Sequence, residues 1–255
     1  MTGDHHWGWV RRLNAVEHPR LRLVCFPHSS GSAGSFHSWC AELPPDVQLM
    51  AVQYPGRGDR LPEAPVASVA EMSTHVVAEL MRLEPRELVL FGHSLGALVA
   101  YETAMALRDR NRPPHYLFVS GSRSPWRAGR GHVHLATDED LWSSVCELGG
   151  VEQELMDNLE LRDLVLPALR SDLMANETYQ PRCDAEPLPC AVRCYYSPED
   201  PLANGPLLGE WTKATDEGLT LCARPGGHFH LQVDTAGLVD DIMTTLAGKC
   251  ESVRA

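Results

Sequence analysis

A serine hydroxyl becomes a nucleophile only where the backbone presents it and a base can take its proton. One segment of this chain meets the first condition. The apolar run Leu88-Val89-Leu90-Phe91 drives into Gly92-His93-Ser94-Leu95-Gly96-Ala97, and a helical pattern follows from Leu95 to Arg110. Strand, sharp turn and helix in that order form an elbow that lifts its central side chain off the end of a sheet, with the backbone strained. Gly92 and Gly96 are then needed for space, because side chains there would strike the adjoining strand and helix. Ser94 is the candidate nucleophile.

The base must come from among 12 histidines. His228 stands out because Arg224-Pro225-Gly226-Gly227-His228 directly follows the last strand-like run, in a loop pliable enough to bring an imidazole to the serine; His230 is the nearest competitor. The His5-His6 pair reads as a chain end. A third group must fix the imidazole tautomer and stabilise the imidazolium. Asp200, in Ser197-Pro198-Glu199-Asp200-Pro201, suits that role, with Glu199 as its rival. The order Ser94, Asp200, His228 is the one expected of a strand–elbow–helix hydrolase. Two backbone N–H groups must also face the charge that develops on the attacked carbonyl. Leu95, just after the serine, supplies one, and Ser29 in the small-residue loop Pro27–Gly34 supplies the other. That loop matches neither a P-loop nor GxGxxG, which argues against nucleotide binding.

These residues need a frame. Apolar runs at Leu21–Phe26, Val47–Tyr54, Glu87–Phe91, Tyr116–Ser120, Cys190–Tyr196 and Leu219–Ala223 are mostly continuous rather than alternating, as in strands covered on both faces. Helical patterns at Ser68–Leu83, Leu95–Arg110, Leu207–Thr215 and Ala236–Leu246 lie between them. The expected fold is α/β, a mostly parallel, doubly wound sheet whose strand ends share one edge. From about Arg127 to Tyr179 only helical periodicity is found. Thr137 reads as an N-cap followed by three acidic residues, and two more helices are expected at Val151–Leu166 and Ala168–Tyr179, parted at Pro167. This interval reads as a helical lid insertion (127–185) dividing a hydrolase core into 1–126 and 186–255. Its Leu, Met and Val stripe is suited either to line an acyl chamber or to pack the lid onto the sheet.

At 255 residues and net charge -12 the chain suits one domain and argues against nucleic acid as a partner. No apolar run approaches a membrane span, and the first ten residues lack a signal-peptide core, so a soluble cytoplasmic protein is expected. The 8 cysteines show no framework or zinc spacing. No metal is expected.

Taken together, the motifs resemble the type II thioesterases of polyketide and nonribosomal peptide synthesis, a branch of the α/β-hydrolase superfamily. The resemblance rests on Phe26-Pro27-His28 and Trp39, on Val52-Gln53-Tyr54-Pro55-Gly56-Arg57 with Asp59-Arg60, and on the elbow. It continues through Leu166-Pro167-Ala168-Leu169-Arg170-Ser171-Asp172 and Gly226-Gly227-His228-Phe229. Tyr-Pro-Gly-Arg is the discriminating segment. The family's catalytic positions fall on Ser94, Asp200 and His228. Three departures stand out: His28-Ser29-Ser30-Gly31 replaces the usual His-Ala-Gly-Gly, Ser197-Pro198-Glu199-Asp200-Pro201 replaces the usual Gly-Asp-x-Asp-Pro and keeps only the second aspartate, as Asp200, and His230 replaces a usually apolar residue.

The resemblance implies hydrolysis of acyl thioesters on the phosphopantetheine arm of acyl or peptidyl carrier proteins, clearing aberrant or stalled units, without cofactor. The sequence leaves the oligomeric state open, with a monomer favoured. Arg57, Arg60, Arg123, Arg127 and Arg130 are candidates for a basic patch facing an acidic carrier. A product-releasing or medium-chain fatty acyl thioesterase, a carboxylesterase and an acyltransferase share the same constellation. A catalytically silent hydrolase-fold binding protein would instead show a broken triad.

Overall fold

A computed structural model describes residues 8–149, 158–182 and 185–252. Its centre is a 7-stranded sheet in the order β1-β3-β2-β4-β5-β6-β7. The strands are β1 (Val10–Arg12), β2 (Leu21–Phe26), β3 (Val47–Val52), β4 (Glu87–His93), β5 (Tyr116–Ser120), β6 (Ala191–Tyr196) and β7 (Leu219–Ala223). All neighbours pair in parallel except β1, which runs antiparallel to β3. The mostly parallel α/β sheet is the one the sequence predicts. The antiparallel edge strand is an addition, because Val10-Arg11-Arg12 has no apolar run to announce it.

Every residue of β2, β3 and β5 is buried, and pleating sends alternate side chains to opposite layers. Leu21, Leu23 and Cys25 join Phe36, Trp39 and the Leu238, Val239 and Ile242 face of α7 (Thr235–Ser252). Val24 and Phe26 join the layer formed by α1 (Val69–Leu80) and α2 (Leu95–Arg108). Helix α1 starts at Ser68, whose hydroxyl caps the Glu71 amide. Glu79, near its other end, accepts the backbone N–H groups of Trp9 and Val10 and so ties down the edge strand.

Between β5 and β6 the described residues contain no strand, only helical segments, chiefly α3 (Asp138–Glu147) and α4 (Leu159–Glu177). Thr137 caps α3 as expected. The expected break at Pro167 is absent: α4 runs straight through it, and the part of the expected Val151–Leu166 helix up to residue 157 lies outside the described residues. An internal proline costs a helix about 3 kcal/mol. Here burial of Leu166, Ala168, Leu169 and Ala175, with the ion pair of Asp172 described below, offsets it. The expected Leu207–Thr215 helix is instead a short α5 (Gly205–Leu208) continued as a 3-10 turn over Gly209–Ala214. A final short helix, α6 (His230–Val233), leads into α7.

No helix of the described residues is long and apolar enough to cross a membrane, and none of their His, Cys, Asp or Glu side chains group in a way that could hold a metal. Cys25, Cys40, Cys194 and Cys222 are free thiols.

Replacing Glu79 with Ala strands two N–H groups at the edge of the core. The expected result is a loss of about 1–3 kcal/mol in urea denaturation, with turnover per folded molecule unchanged.

Candidate active site

Ser94 lies between β4 and α2 with φ 55° and ψ -121°, a backbone conformation rare outside glycine. The close approach that enforces it is visible at the flanking glycines. A Cβ on Gly92 would lie 2.3 Å from the Gly96 carbonyl oxygen, and one on Gly96 would lie 2.1 Å from that of Phe26. The elbow expected from the sequence is therefore formed, for the steric reason given there.

His228 and Asp200 arrive from the loops after β7 and β6. His228 Nε2 is 3.1 Å from Ser94 Oγ, and its Nδ1 is 2.8 Å from Asp200 Oδ2. A carboxylate oxygen accepts only, so Nδ1 carries the proton and Nε2 is left free to accept from the serine hydroxyl. The Leu202 N–H donates to the other carboxylate oxygen, Oδ1, at 2.8 Å, fixing the carboxylate. Asp200 and His228 are buried, while Glu199 is exposed on the turn and takes no part. Ser197 braces both loops: its carbonyl accepts from the Asp200 N–H at 3.1 Å and its hydroxyl from the Gly227 N–H at 3.1 Å.

His230 has both ring nitrogens engaged away from Ser94. Its Nε2 is 2.9 Å from Ser120 Oγ and its Nδ1 faces the Gly227 carbonyl, both inside the protein. Burial lowers its pKa, and does the same to His93 still more strongly; His28 falls to about 4, through burial first and then the nearby His228 and Arg57. His28 as a residue is only partly covered, but its Nδ1 is sealed from solvent without a partner.

The Leu95 N–H opens the first turn of α2, where no intrahelical acceptor exists. In the loop after β2, Ser30 has φ 62° and donates its N–H to Asp172 Oδ2 at 2.7 Å. The Ser29 N–H next to it has no acceptor among the described residues. The amides of Ser29 and Leu95 thus both lack a protein acceptor among the described residues.

Asp172 is the residue that the motif reading left without a role. It is fully buried on α4 and paired with Arg57, whose Nη1 and Nη2 both reach its carboxylate, the latter at 2.9 Å. One ion pair therefore joins the inserted helix, the Tyr-Pro-Gly-Arg loop and the loop bearing Ser29. The signal was available: Asp172 interrupts the apolar stripe of Leu166 and Leu169 at helical spacing. The expected placement of Arg57 and Arg60 on a surface patch is wrong. Both are buried, Arg60 being held by the Gln53 carbonyl and Glu63.

Above Ser94 and His228 opens a cavity of about 520 Å³, with Val133, Val145, Leu148 and Leu173 of the inserted segment on its walls. Fold and site together define a hydrolase of the α/β-hydrolase type. The chain belongs to the thioesterase family: the family model for the thioesterase domain matches residues 21–246. It is 42% identical to thioesterase PikA5 of Streptomyces venezuelae over 92% of this chain and 84% of that one. Its structure is similar to that of BorB, a type II thioesterase from the borrelidin biosynthetic cluster. The TM-score is 0.86 at 32% identity, over 92% of this chain and 96% of that one. RedJ, a thioesterase of prodiginine biosynthesis in Streptomyces coelicolor, gives 0.82 at 36% identity, over 91% and 89%. The enzyme is a hydrolase of thioesters.

Two predictions rest on this site. Arg57→Ala leaves a buried carboxylate unpaired and is expected to cost about 3–5 kcal/mol. Replacing both partners (Arg57→Met with Asp172→Leu) restores much of that stability while kcat stays depressed, because the Ser30 amide has lost its acceptor; full recovery of both would contradict the account. The second concerns pH. Burial lowers the folded-state pKa of His28, His93 and His230 below the unfolded value, so the stability these groups contribute is fully present above about pH 6.5 and is lost as pH falls through their folded values, about 4 for His28. The slope is at most about 1.4 kcal/mol per pH unit for each histidine. Urea titrations at pH 7.5, 6 and 5 measure it, and His28→Asn should flatten the slope.

Proposed function

We propose that the chain hydrolyses acyl thioesters held on the phosphopantetheine arm of an acyl or peptidyl carrier protein, removing aberrant or stalled units from a polyketide or nonribosomal peptide synthase. The observation that carries this reading is the Ser94–His228–Asp200 relay opening on a mainly apolar cavity walled by the inserted helices. The solved type II thioesterases that the chain resembles support the choice of substrate class.

Ser94 Oγ attacks the thioester carbonyl as His228 Nε2 takes its proton. The N–H groups of Leu95 and Ser29 hold the tetrahedral oxyanion. The C–S bond breaks, and His228 returns the proton to the departing thiolate, leaving the acyl group on Ser94. Water attacks that ester with His228 again as base, and the acid leaves with the serine restored. Asp200 keeps the imidazole oriented and stabilises its charged form. This chemistry uses no metal or organic cofactor. The segment between β5 and β6 acts as the lid, and the enzyme works as a cytoplasmic monomer.

With Arg57 and Arg60 buried, the surface for an acidic carrier reduces to Arg123, Arg127 and Arg130 on the cavity rim. Arg127 is paired with Glu210 and Arg123 is bound to the Leu202 carbonyl, whereas Arg130 is exposed and uncommitted among the described residues. Acid release from short and medium acyl groups loaded on a phosphopantetheinylated carrier tests the reading, with Ser94→Ala as the control that should abolish it. Arg130→Glu is expected to slow turnover of acyl-carrier several-fold and to leave turnover of a soluble acyl-N-acetylcysteamine thioester unchanged. Equal effects on both substrates would remove Arg130 from the carrier surface.

A further inference from the structure

Three polar groups beneath the site take no part in the relay: His93, Ser120 and His230, all buried. Ser120 ends β5 and is hydrogen-bonded to Ser94, His93 and His230. Its carbonyl accepts the Ser94 N–H at 2.8 Å, and its Oγ lies 3.0 Å from His93 Nδ1 and 2.9 Å from His230 Nε2. The His230 side chain reaches back with Nδ1 to the Gly227 carbonyl at 3.2 Å, one residue before His228.

The donors in this cluster can be assigned in sequence. A carbonyl oxygen only accepts, so His230 Nδ1 carries a hydrogen. Burial, with His228 and Arg224 nearby, disfavours a second proton although Asp200 favours it, so His230 Nε2 is a bare acceptor. Ser120 must then donate to His230 and accept from His93, which places the hydrogen of His93 on Nδ1. The other nitrogen of His93 is left bare, in agreement with its having no partner inside the protein. The result is a one-way chain: His93 Nδ1–H to Ser120 Oγ, Ser120 O–H to His230 Nε2, His230 Nδ1–H to Gly227 O.

We propose that His230 is a positioning residue for the His228 base, locking the Gly227–His228 loop to the strand end that also holds the backbone of Ser94. The inference rests on reading His228 as the base. One end of the chain sits on the residue before the nucleophile and the other on the residue before the base. It therefore sets the 3.1 Å separation between them. The Gly227 carbonyl also accepts from the His230 backbone N–H, a bond that no side-chain replacement removes. The side chain adds the cross-strand tie to Ser120.

The test is steady-state hydrolysis of an acyl-N-acetylcysteamine thioester, with active sites counted by a serine-reactive fluorophosphonate. His230→Phe and, independently, Ser120→Ala are expected to lower kcat about tenfold or more, with KM within about twofold, since a displacement of about 1 Å can cost 100-fold in rate. The double variant should be little worse than the worse single, because the residues act as one chain. His230→Asn, whose amide can still donate to Gly227, should recover part of the loss. Unchanged kcat in both single variants would overturn the proposal, as would a loss confined to KM or to the fraction of titratable sites. His228→Ala separates the two readings: if it keeps activity, the assignment of the base fails, and if it alone is inactive, only the role of His230 fails.

Discussion

The backbone crossing at Gly92 and Gly96 is the constraint on which the rest depends. Helix α2 leaves the sheet so close to the Phe26 carbonyl that no Cβ fits at Gly96, and the chain turns within one residue to do so. That residue is Ser94, and its strained conformation is held by the packing of α2 against the sheet rather than by any local preference. The turn exposes a hydroxyl and, one residue on, an amide without a helical acceptor. The candidate nucleophile and one candidate oxyanion donor therefore share one steric cause.

The second structural theme is the distribution of buried polar groups. Each loop around Ser94 is attached through a group that cannot be left unsatisfied in a low-dielectric interior. Ser197 ties the Asp200 and His228 loops together, Ser120 joins the elbow to the histidine loop, and Asp172 holds the Ser30 amide and Arg57 at once. The Asp172 contact reaches furthest in consequence, because it makes the position of the inserted helix α4 a determinant of the loop that bears Ser29.

How far the sequence disclosed this follows from how local each feature is. The elbow, Asp200, His228 and the six parallel strands were readable because glycine spacing, turn chemistry and continuous apolar runs are local signals. The β1 strand was not, since three residues with two arginines owe their conformation to β3 and Glu79. Pro167 was read as a break because propensity speaks before packing does, and α4 is held by contacts distant in sequence. The arginines show the same limit: Arg57 and Arg60 look like surface charge until the partners that bury them, Asp172 and Glu63, are placed in space.

The proposed mechanism requires Ser94 to carry the acyl group between two half-reactions. Intact-protein mass spectrometry of the enzyme, quenched within milliseconds of mixing with an acyl thioester, tests this directly. The prediction is a mass increase equal to the acyl group, located by digestion to the peptide containing Ser94 and absent when Asp200 and His228 are both replaced by Ala. Acid released at the normal rate without an adduct, or with the adduct on another residue, would contradict it.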